Sequence, residues 1–245
     1  MDIGKSFSYQ FDDRQWITKL GIGALISLVP VLNLALTGYM VAIIRNVAAS
    51  AAEPLPNWDD LWPKLRDGLI LTAAGLVYAA PVFILMCLPL AFFAASGSLP
   101  QDGSWQALAH SLSTLAQLLL AGLFCLFMLY MLFLSLIHPV ILVIYSRDGT
   151  FASCFRLGEI LRILGRHAGL FSTTWIVTIL AGFALGIIVA LVNLVVGWVP
   201  CLGWILGLVL GLGSGLYLIT GDAHLFGQFR VAALGFVQTT PATHV

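Results

Sequence analysis

The side chains that could carry acid–base or nucleophilic chemistry are few and scattered in this sequence. Asp59 and Asp60 are adjacent, so on a helix their carboxylates would point about 100° apart, which is poor geometry for a catalytic pair. Asp222 and His224 are two potential metal ligands, but two ligands do not make a metal site. No Ser/His/Asp order, glycine-rich phosphate loop or H-E-x-x-H motif is present. The sequence predicts no enzyme, no catalytic residue, no cofactor and no metal site.

Polar side chains within the apolar segments are also rare. His138 precedes a proline near the end of one segment, where an interfacial or hydrogen-bonded histidine is expected, with a proton relay as the alternative. Asn33 and Asn193 lie inside two other segments and are expected to hydrogen-bond between helices. A polar cavity that reaches the middle of the membrane beside one of these three residues would favour a transporter.

Long stretches of the chain contain no charged residue at all. Only 9% of the chain is charged and 60% is hydrophobic, whereas a typical soluble domain is about 25% charged. Because a charge at the centre of a bilayer costs about 2.5–3.5 kcal/mol, this pattern predicts an integral membrane protein. No basic stripe indicates nucleic-acid binding. The charge-free stretches are residues 20–44, 68–101, 103–146 and 168–221.

The last three charge-free stretches are long enough for four full transmembrane helices, since each helix needs about 20 apolar residues. We expect one span at residues 68–95 and another at 115–137, which ends or bends at His138-Pro139. The final stretch holds two spans joined by a tight turn at residues 197–200.

The first charge-free stretch, residues 20–44, is too short for two full spans and has Pro30 and Asn33 at its middle. A single crossing would leave the three basic residues of the N-terminus outside. A hairpin that returns to its own side would instead put all eleven Lys and Arg in the cytoplasm. We therefore expect two half-helices that turn near Pro30 to Asn33 as a re-entrant hairpin, with one kinked span as the alternative.

One glycine recurs every four residues near the C-terminus, which on a helix forms a stripe without side chains. Packing between the last two spans is the expected role. Contact with a second copy of the chain, or a pore, is the alternative. The stripe consists of Gly203, Gly207, Gly211 and Gly215.

Residues 150–168 have the pattern of an amphipathic helix at the cytoplasmic surface. Arg156, Arg162 and Arg166 gather with Glu159 on one side. Such a helix suits the headgroup layer, where each basic residue contributes about 1 kcal/mol near anionic lipid. We expect these arginines to anchor the helix at the membrane surface, with regulated lipid sensing or partner docking as the alternatives. The opposite, apolar side holds Cys154, Leu157, Ile160, Leu161, Leu164 and Ala168.

The loop at residues 53–63 is the most acidic and aromatic connection in the chain. Trp58 and Trp62 suit the boundary between water and lipid. Asn57 or Asp59 could cap a following helix, and a cation or partner site is the alternative.

Several short motifs together resemble a family of bacterial and archaeal membrane proteins catalogued as domain of unknown function 4013. The resemblance implies a helical multi-pass membrane fold and no particular activity. It extends over nearly the whole chain, and the acidic Pro/Trp loop is its most specific part. The motifs are Phe11-Asp12-Asp13, Trp16, Lys19-Leu20, Pro30, Asn33, Gly38-Tyr39, Arg45, Glu53-Pro54-Leu55-Pro56, Trp58-Asp59-Asp60, Phe155-Arg156, Gly158-Glu159-Ile160 and Gly227-Gln228.

We therefore expect an all-α membrane domain over residues 1–230 and a short flexible tail at 231–245, with both termini on the cytoplasmic side of the inner membrane. The expected role is structural or accessory, in contact with the lipid bilayer, with anionic lipid at the cytoplasmic face and with a second copy or another membrane protein. A small transporter or channel component, with its site at the broken helices, is the alternative.

Overall fold

The computed structural model describes residues 1–99, 103–199 and 202–235, and within these ranges it is helical and contains no strand. This confirms the all-α class. Two short 3-10 helices, Tyr9–Asp12 and Phe151–Phe155, interrupt the α-helical series. The α-helices of the described residues are α1 (Ile3–Ser8), α2 (Trp16–Ser27), α3 (Pro30–Ala48), α4 (Leu61–Ser98), α5 (Gly103–Asp148), α6 (Leu157–Arg166), α7 (Ala168–Val196) and α8 (Leu202–Leu234).

The chain divides into two compact units, of which the first comprises Met1–Thr72 and Pro139–Val245 and the second comprises Ala73–His138. All eleven Lys and Arg belong to the first unit. The second unit consists of parts of α4 and α5, and in it the Tyr130 hydroxyl donates to the Tyr78 carbonyl oxygen at 2.6 Å. The basic side chains, and the ion pairs they form, therefore lie in the first unit.

Within the described residues, five helices are long and apolar enough to cross a membrane. The set includes α3, which the sequence had suggested as half of a hairpin. α5 does not end at His138-Pro139 but continues to Asp148 with Pro139 inside it. α8 extends to Leu234, beyond the expected boundary at residue 230, and residues 236–245 of the expected tail lie outside the described part. The five helices are Pro30–Ala48, Leu61–Ser98, Trp105–Asp148, Ala168–Val196 and Gly203–Leu234.

The first charge-free stretch is broken into two helices at Leu28 and Val29, slightly before the expected turn at Pro30 to Asn33. Pro30 is the first residue of α3, a position whose backbone N–H has no partner within the helix, so the N–H that proline lacks is not needed there. Proline also forces the residue before it out of the helical region, and Val29 is extended with φ −97° and ψ 115°. Pro30 therefore starts a helix, and the break lies before it.

The helices α2 and α3 fold back on one another. Trp58, in the loop that follows α3, donates its indole N–H to the Lys19 carbonyl oxygen of α2 at 2.8 Å. The same ring stacks on Tyr39 of α3, with centroids 4.4 Å apart and planes 4° from parallel. Since Lys19 and Tyr39 lie at similar distances on either side of the break, one tryptophan can contact both only if the two helices run antiparallel.

A close approach of two backbones joins α3 to the first turns of α4. A Cβ built on Gly38 would overlap the Lys64 carbonyl oxygen, and one built on Gly68 would overlap the Leu34 carbonyl oxygen. Both glycines are buried. Neither belongs to a periodic stripe, but at both positions the fold requires the absence of a side chain.

The amphipathic segment begins with the 3-10 helix Phe151–Phe155 and continues as α6. Ile160 and Ile163 are its buried α-helical residues, whereas Leu157 and Leu161 are 42% and 51% exposed. Some residues predicted for the apolar side are thus exposed, whereas Ile163, which was not predicted to belong to that side, is buried. The apolar arc of this helix is wider than the protein surface that packs against it, which leaves a second apolar strip uncovered.

We predict that Gly38→Ala lowers the free energy of unfolding by about 1–3 kcal/mol or more, because a methyl group has no room against the α4 backbone. Gly182→Ala in α7 is the control, since nothing lies within 4 Å of its added Cβ and alanine favours helix by up to about 1 kcal/mol. Thermal unfolding of both variants in detergent is the measurement. Equal melting temperatures would contradict the close approach at Gly38.

Candidate functional site

The N-terminal segment packs along the last helix and forms one side of the candidate site. The Tyr9 hydroxyl donates to the Thr220 carbonyl oxygen at 3.1 Å, and the Gln10 amide donates to the Tyr217 carbonyl oxygen at 3.1 Å. In return the Tyr217 hydroxyl donates to the Phe7 carbonyl oxygen at 3.0 Å. Burial raises the pKa of Tyr9 far above its ordinary value, so this residue acts as a neutral hydrogen-bond donor.

His224 is the centre of the contact between this segment and α8. Its ring stacks on that of Tyr9 with centroids 4.3 Å apart. Its Nδ1 lies 3.2 Å from Gln228 Nε2 and 3.0 Å from Ser6 Oγ. Since an amide nitrogen only donates, Nδ1 accepts and the ring proton is on Nε2. Ser6 is fully buried and also bonds to the Asp2 carbonyl oxygen, so the Ser6–His224 pair is structural and its hydroxyl is closed to a substrate.

A polar cleft of about 530 Å³ opens beside His224. The N-terminal segment forms one wall, the loop after α3 a second and α8 a third. Lys5 is the one Lys or Arg among its lining residues, against four carboxylate side chains. The cleft therefore has an acidic lining. Its residues are Asp2, Lys5, Tyr9, Asp12, Asp13, Val47, Ser50 to Leu55, His224 and Gln228.

A buried ion pair holds the N-terminal segment to the loop. Lys19 Nζ lies 2.6 Å from Asp13 Oδ2, with both side chains 6% exposed, and it also donates to the Leu55 carbonyl oxygen at 3.0 Å. Burial alone would raise the pKa of the Asp13 carboxyl. Hydrogen bonds from Lys19 and from the Gln15 N–H outweigh that effect and hold the pKa below its ordinary value.

The two tryptophans of the loop have different surroundings. Trp58 is half-buried between α2 and α3, with Lys64 Nζ 5.9 Å from its ring centroid. Trp62 is 73% exposed at the start of α4. Of the two, only Trp62 has the exposure expected of a residue at the boundary between water and lipid, and Trp58 links helices.

A cluster of arginines and carboxylates closes the same end of the first unit. Arg45 pairs with Asp67 at 2.5 Å, and its Nε donates to the Ser146 carbonyl oxygen at 3.1 Å. The Tyr145 hydroxyl donates to the other oxygen of Asp67 at 2.8 Å. We use the name polar end for three features of the first unit together: this cluster, the cleft and the loop at residues 53–63.

The arginines of the amphipathic segment differ in their partners. Arg156 pairs with Asp148 at 2.7 Å and with Glu159 at 3.5 Å and is half-exposed. Arg162 and Arg166 are exposed. The surface role expected for these arginines stays a prediction, and the strip of Leu157 and Leu161 beside them is accessible.

The glycine stripe of α8 has two different environments. A Cβ on Gly203 would lie 2.7 Å from a carbonyl oxygen of α7, and one on Gly207 would overlap the Asn193 side chain. Nothing lies within 4 Å of an added Cβ at Gly211 or Gly215. The first half of the stripe therefore packs on α7, and the second half faces open space. Whether it contacts a second copy stays a prediction.

The described residues bring together no group of three His, Cys, Asp or Glu that could hold a metal ion. Asp222 accepts a hydrogen bond from Thr178 at 2.9 Å, whereas His224 is bonded to Ser6 and Gln228. These two residues, neighbours in sequence, thus have separate partners.

We predict that Asp13→Asn lowers the free energy of unfolding by about 3–5 kcal/mol, because it leaves the Lys19 ammonium buried without its counter-ion. Asp12→Asn is the matched control, since Asp12 is exposed. Lys19→Met combined with Asp13→Asn should recover part of the loss. Chemical unfolding in detergent at pH 7 is the measurement, and equal losses in the Asp13 and Asp12 variants would contradict the assignment.

The same pair predicts an acid-sensitive fold. Since the folded-state pKa of Asp13 is lowered, its stabilisation is complete above its ordinary pKa of about 3.9. It is lost as pH falls through the lower folded-state value. Unfolding of the wild type should therefore become easier below about pH 4, and this dependence should be weaker in the Asp13→Asn/Lys19→Met variant.

We predict that Gly203→Ala destabilises the protein by about 1–3 kcal/mol and that Gly211→Ala does not. Gly211→Leu tests the outer half of the stripe, because a second copy packed there would be displaced. Size-exclusion chromatography with light scattering reads the oligomeric state. A change with Gly211→Leu would identify a contact between copies, and an unchanged state would remove that alternative.

Residues 22–194 match the family described as "Protein of unknown function (DUF4013)". The match includes the acidic Pro/Trp loop and α3 to α6, whereas Phe11-Asp12-Asp13 and Gly227-Gln228 lie outside it. No curated protein and no solved structure matches the chain. The matched range covers more than half of the sequence, and the chain belongs to the DUF4013 family.

Proposed function

We propose that the protein is a non-enzymatic, multi-pass component of the inner membrane, of structural or accessory type, with its polar end in the cytoplasm. One observation carries the proposal. The hydrogen-bonding and charged groups of the polar end mostly satisfy one another, and the one serine–histidine pair there is sealed from solvent. Such an arrangement supports a scaffold better than a reaction centre.

The positions of the basic residues support the orientation. Lys19, Arg45 and Arg147 take part in ion pairs that connect the N-terminal segment to α2, α3 to the start of α4, and α5 to α6. Basic residues concentrate on the cytoplasmic side of membrane proteins. The antiparallel α2 and α3 would then return the chain to this side. The 12 residues of α2 make about 18 Å of helix, too short for the roughly 30 Å hydrocarbon core.

The alternative, a transporter component, draws support from the helix break at Leu28 and Val29, since discontinuous helices form many transport sites. Against it, none of Asn33, Asn193 and His138 lines the polar cleft. The Asn193 amide donates to the Val189 carbonyl oxygen within its own helix at 2.9 Å. The accessory role is therefore the better-supported one.

Single cysteines test the topology. In a variant in which the four native cysteines are replaced, Ser8→Cys should resist a membrane-impermeant maleimide in spheroplasts and react after lysis. Trp198→Cys, at the turn after α7 and 84% exposed, should react in both cases. Labelling of Ser8→Cys in intact spheroplasts would put the N-terminus outside and contradict the hairpin. Purification from native membrane, with bound proteins and lipids identified by mass spectrometry, tests the accessory role.

A further inference from the structure

Arg230 is a buried guanidinium without a hydrogen-bond partner for one of its nitrogens. It lies in α8 and is 4% exposed, and the neighbouring Phe229 is fully buried. Within the described residues, its Nη1 is buried and has no acceptor. An arginine does not lose its proton in a protein, and a buried charge without a partner is strongly unfavourable. Within the described residues, Arg230 thus has no carboxylate at ion-pair distance.

The charged groups that act on Arg230 do not supply a counter-ion. Arg45 and Arg147 are near enough to repel it, and Asp148 is the carboxylate near enough to attract it. Both oxygens of Asp148 are already engaged, Oδ1 by Arg147 Nε at 2.5 Å and Oδ2 by Arg156 Nη1 at 2.7 Å. Asp148 thus serves two other arginines.

The cluster as a whole carries one excess positive charge. Arg45, Arg147, Arg156 and Arg230 face Asp67, Asp148 and Glu159, so four guanidiniums meet three carboxylates. Three of the arginines have a carboxylate partner within ion-pair distance. The excess charge is that of Arg230.

We propose that Arg230 binds the phosphate group of an anionic phospholipid or of free phosphate, which enters the cluster beside Arg45 and Arg147. A phosphodiester carries the one negative charge that the cluster lacks. Its oxygens fit the planar fork of a guanidinium, which binds phosphate through two parallel hydrogen bonds. Arg45 and Arg147 are 37% and 34% exposed, so the cluster reaches the surface through them.

The position in the fold suits a lipid headgroup. Arg230 lies four residues before the end of α8, about 6 Å along the helix axis. Asp148, the last residue of α5, lies in the same cluster. α6 is tied to the cluster by Glu159 and carries the uncovered strip of Leu157 and Leu161. A bound phospholipid would thus place its phosphate at the arginine cluster and its acyl chains on the apolar strip of α6.

The experiment uses the full chain, delipidated in detergent, with dioleoylphosphatidylglycerol, dioleoylphosphatidylcholine and inorganic phosphate as separate probes in a constant chloride background. Binding is measured by native mass spectrometry and by the shift in melting temperature. The variants are Arg230→Gln, which removes the charge, and Arg230→Lys, which keeps the charge without the fork. Arg14→Gln is the control, since Arg14 is an exposed arginine outside the cluster.

We expect phosphatidylglycerol to bind the wild type and Arg14→Gln equally and Arg230→Gln about ten-fold or more weakly, with Arg230→Lys between them. Phosphate binding with the same dependence on Arg230, without a preference for phosphatidylglycerol over phosphatidylcholine, would identify free phosphate as the source. Equal binding of all probes by the wild type and Arg230→Gln would overturn the proposal. If Arg230→Gln does not fold, an unchanged probe preference in Arg230→Lys would overturn it.

Discussion

The pairing of charged side chains at the polar end is the interaction on which the rest of the first unit depends. Charge is rare inside the long apolar helices, so most of the charged residues lie near the helix ends. There Lys19 of α2 pairs with Asp13 and also bonds to the loop at the Leu55 carbonyl oxygen, and Arg45–Asp67 fixes the end of α3 to the start of α4. Arg147 and Glu159 fix α6 to the end of α5. Because these pairs are partly or wholly buried, removal of one partner leaves a charge that water cannot fully solvate.

The long helices and the membrane class could be predicted because they depend on local composition. A charge-free stretch must be helical in a membrane, and this holds whatever its neighbours are. The break before Pro30 was also predictable to within a few residues, since proline acts on the residue next to it. The surface of α6 was only partly predictable. Its apolar arc is a local property, but the part of that arc covered by protein depends on distant segments.

The polar end could not be predicted, because its contacts join residues far apart in the sequence. Ser6 and His224 are separated by 218 positions, and nothing near either residue signals the other. Gly38 and Gly68 were missed for a related reason. Each contacts the backbone of another helix at a single point and belongs to no repeated pattern. The regular stripe at Gly203 to Gly215 is easy to recognise in the sequence, but half of it faces open space. The unusual density of polar residues in the first thirteen positions was the available signal.

The docking of the N-terminal segment on α8 has a consequence for biosynthesis. The Asp2 N–H donates to the Gln228 side chain at 2.7 Å, across 226 positions of the sequence. The N-terminal segment therefore contacts its binding surface only after α8, 226 positions later, has been synthesised. At about 5–20 residues per second this interval is on the order of tens of seconds. Until then the cleft lacks the wall that His224 and Gln228 of α8 contribute.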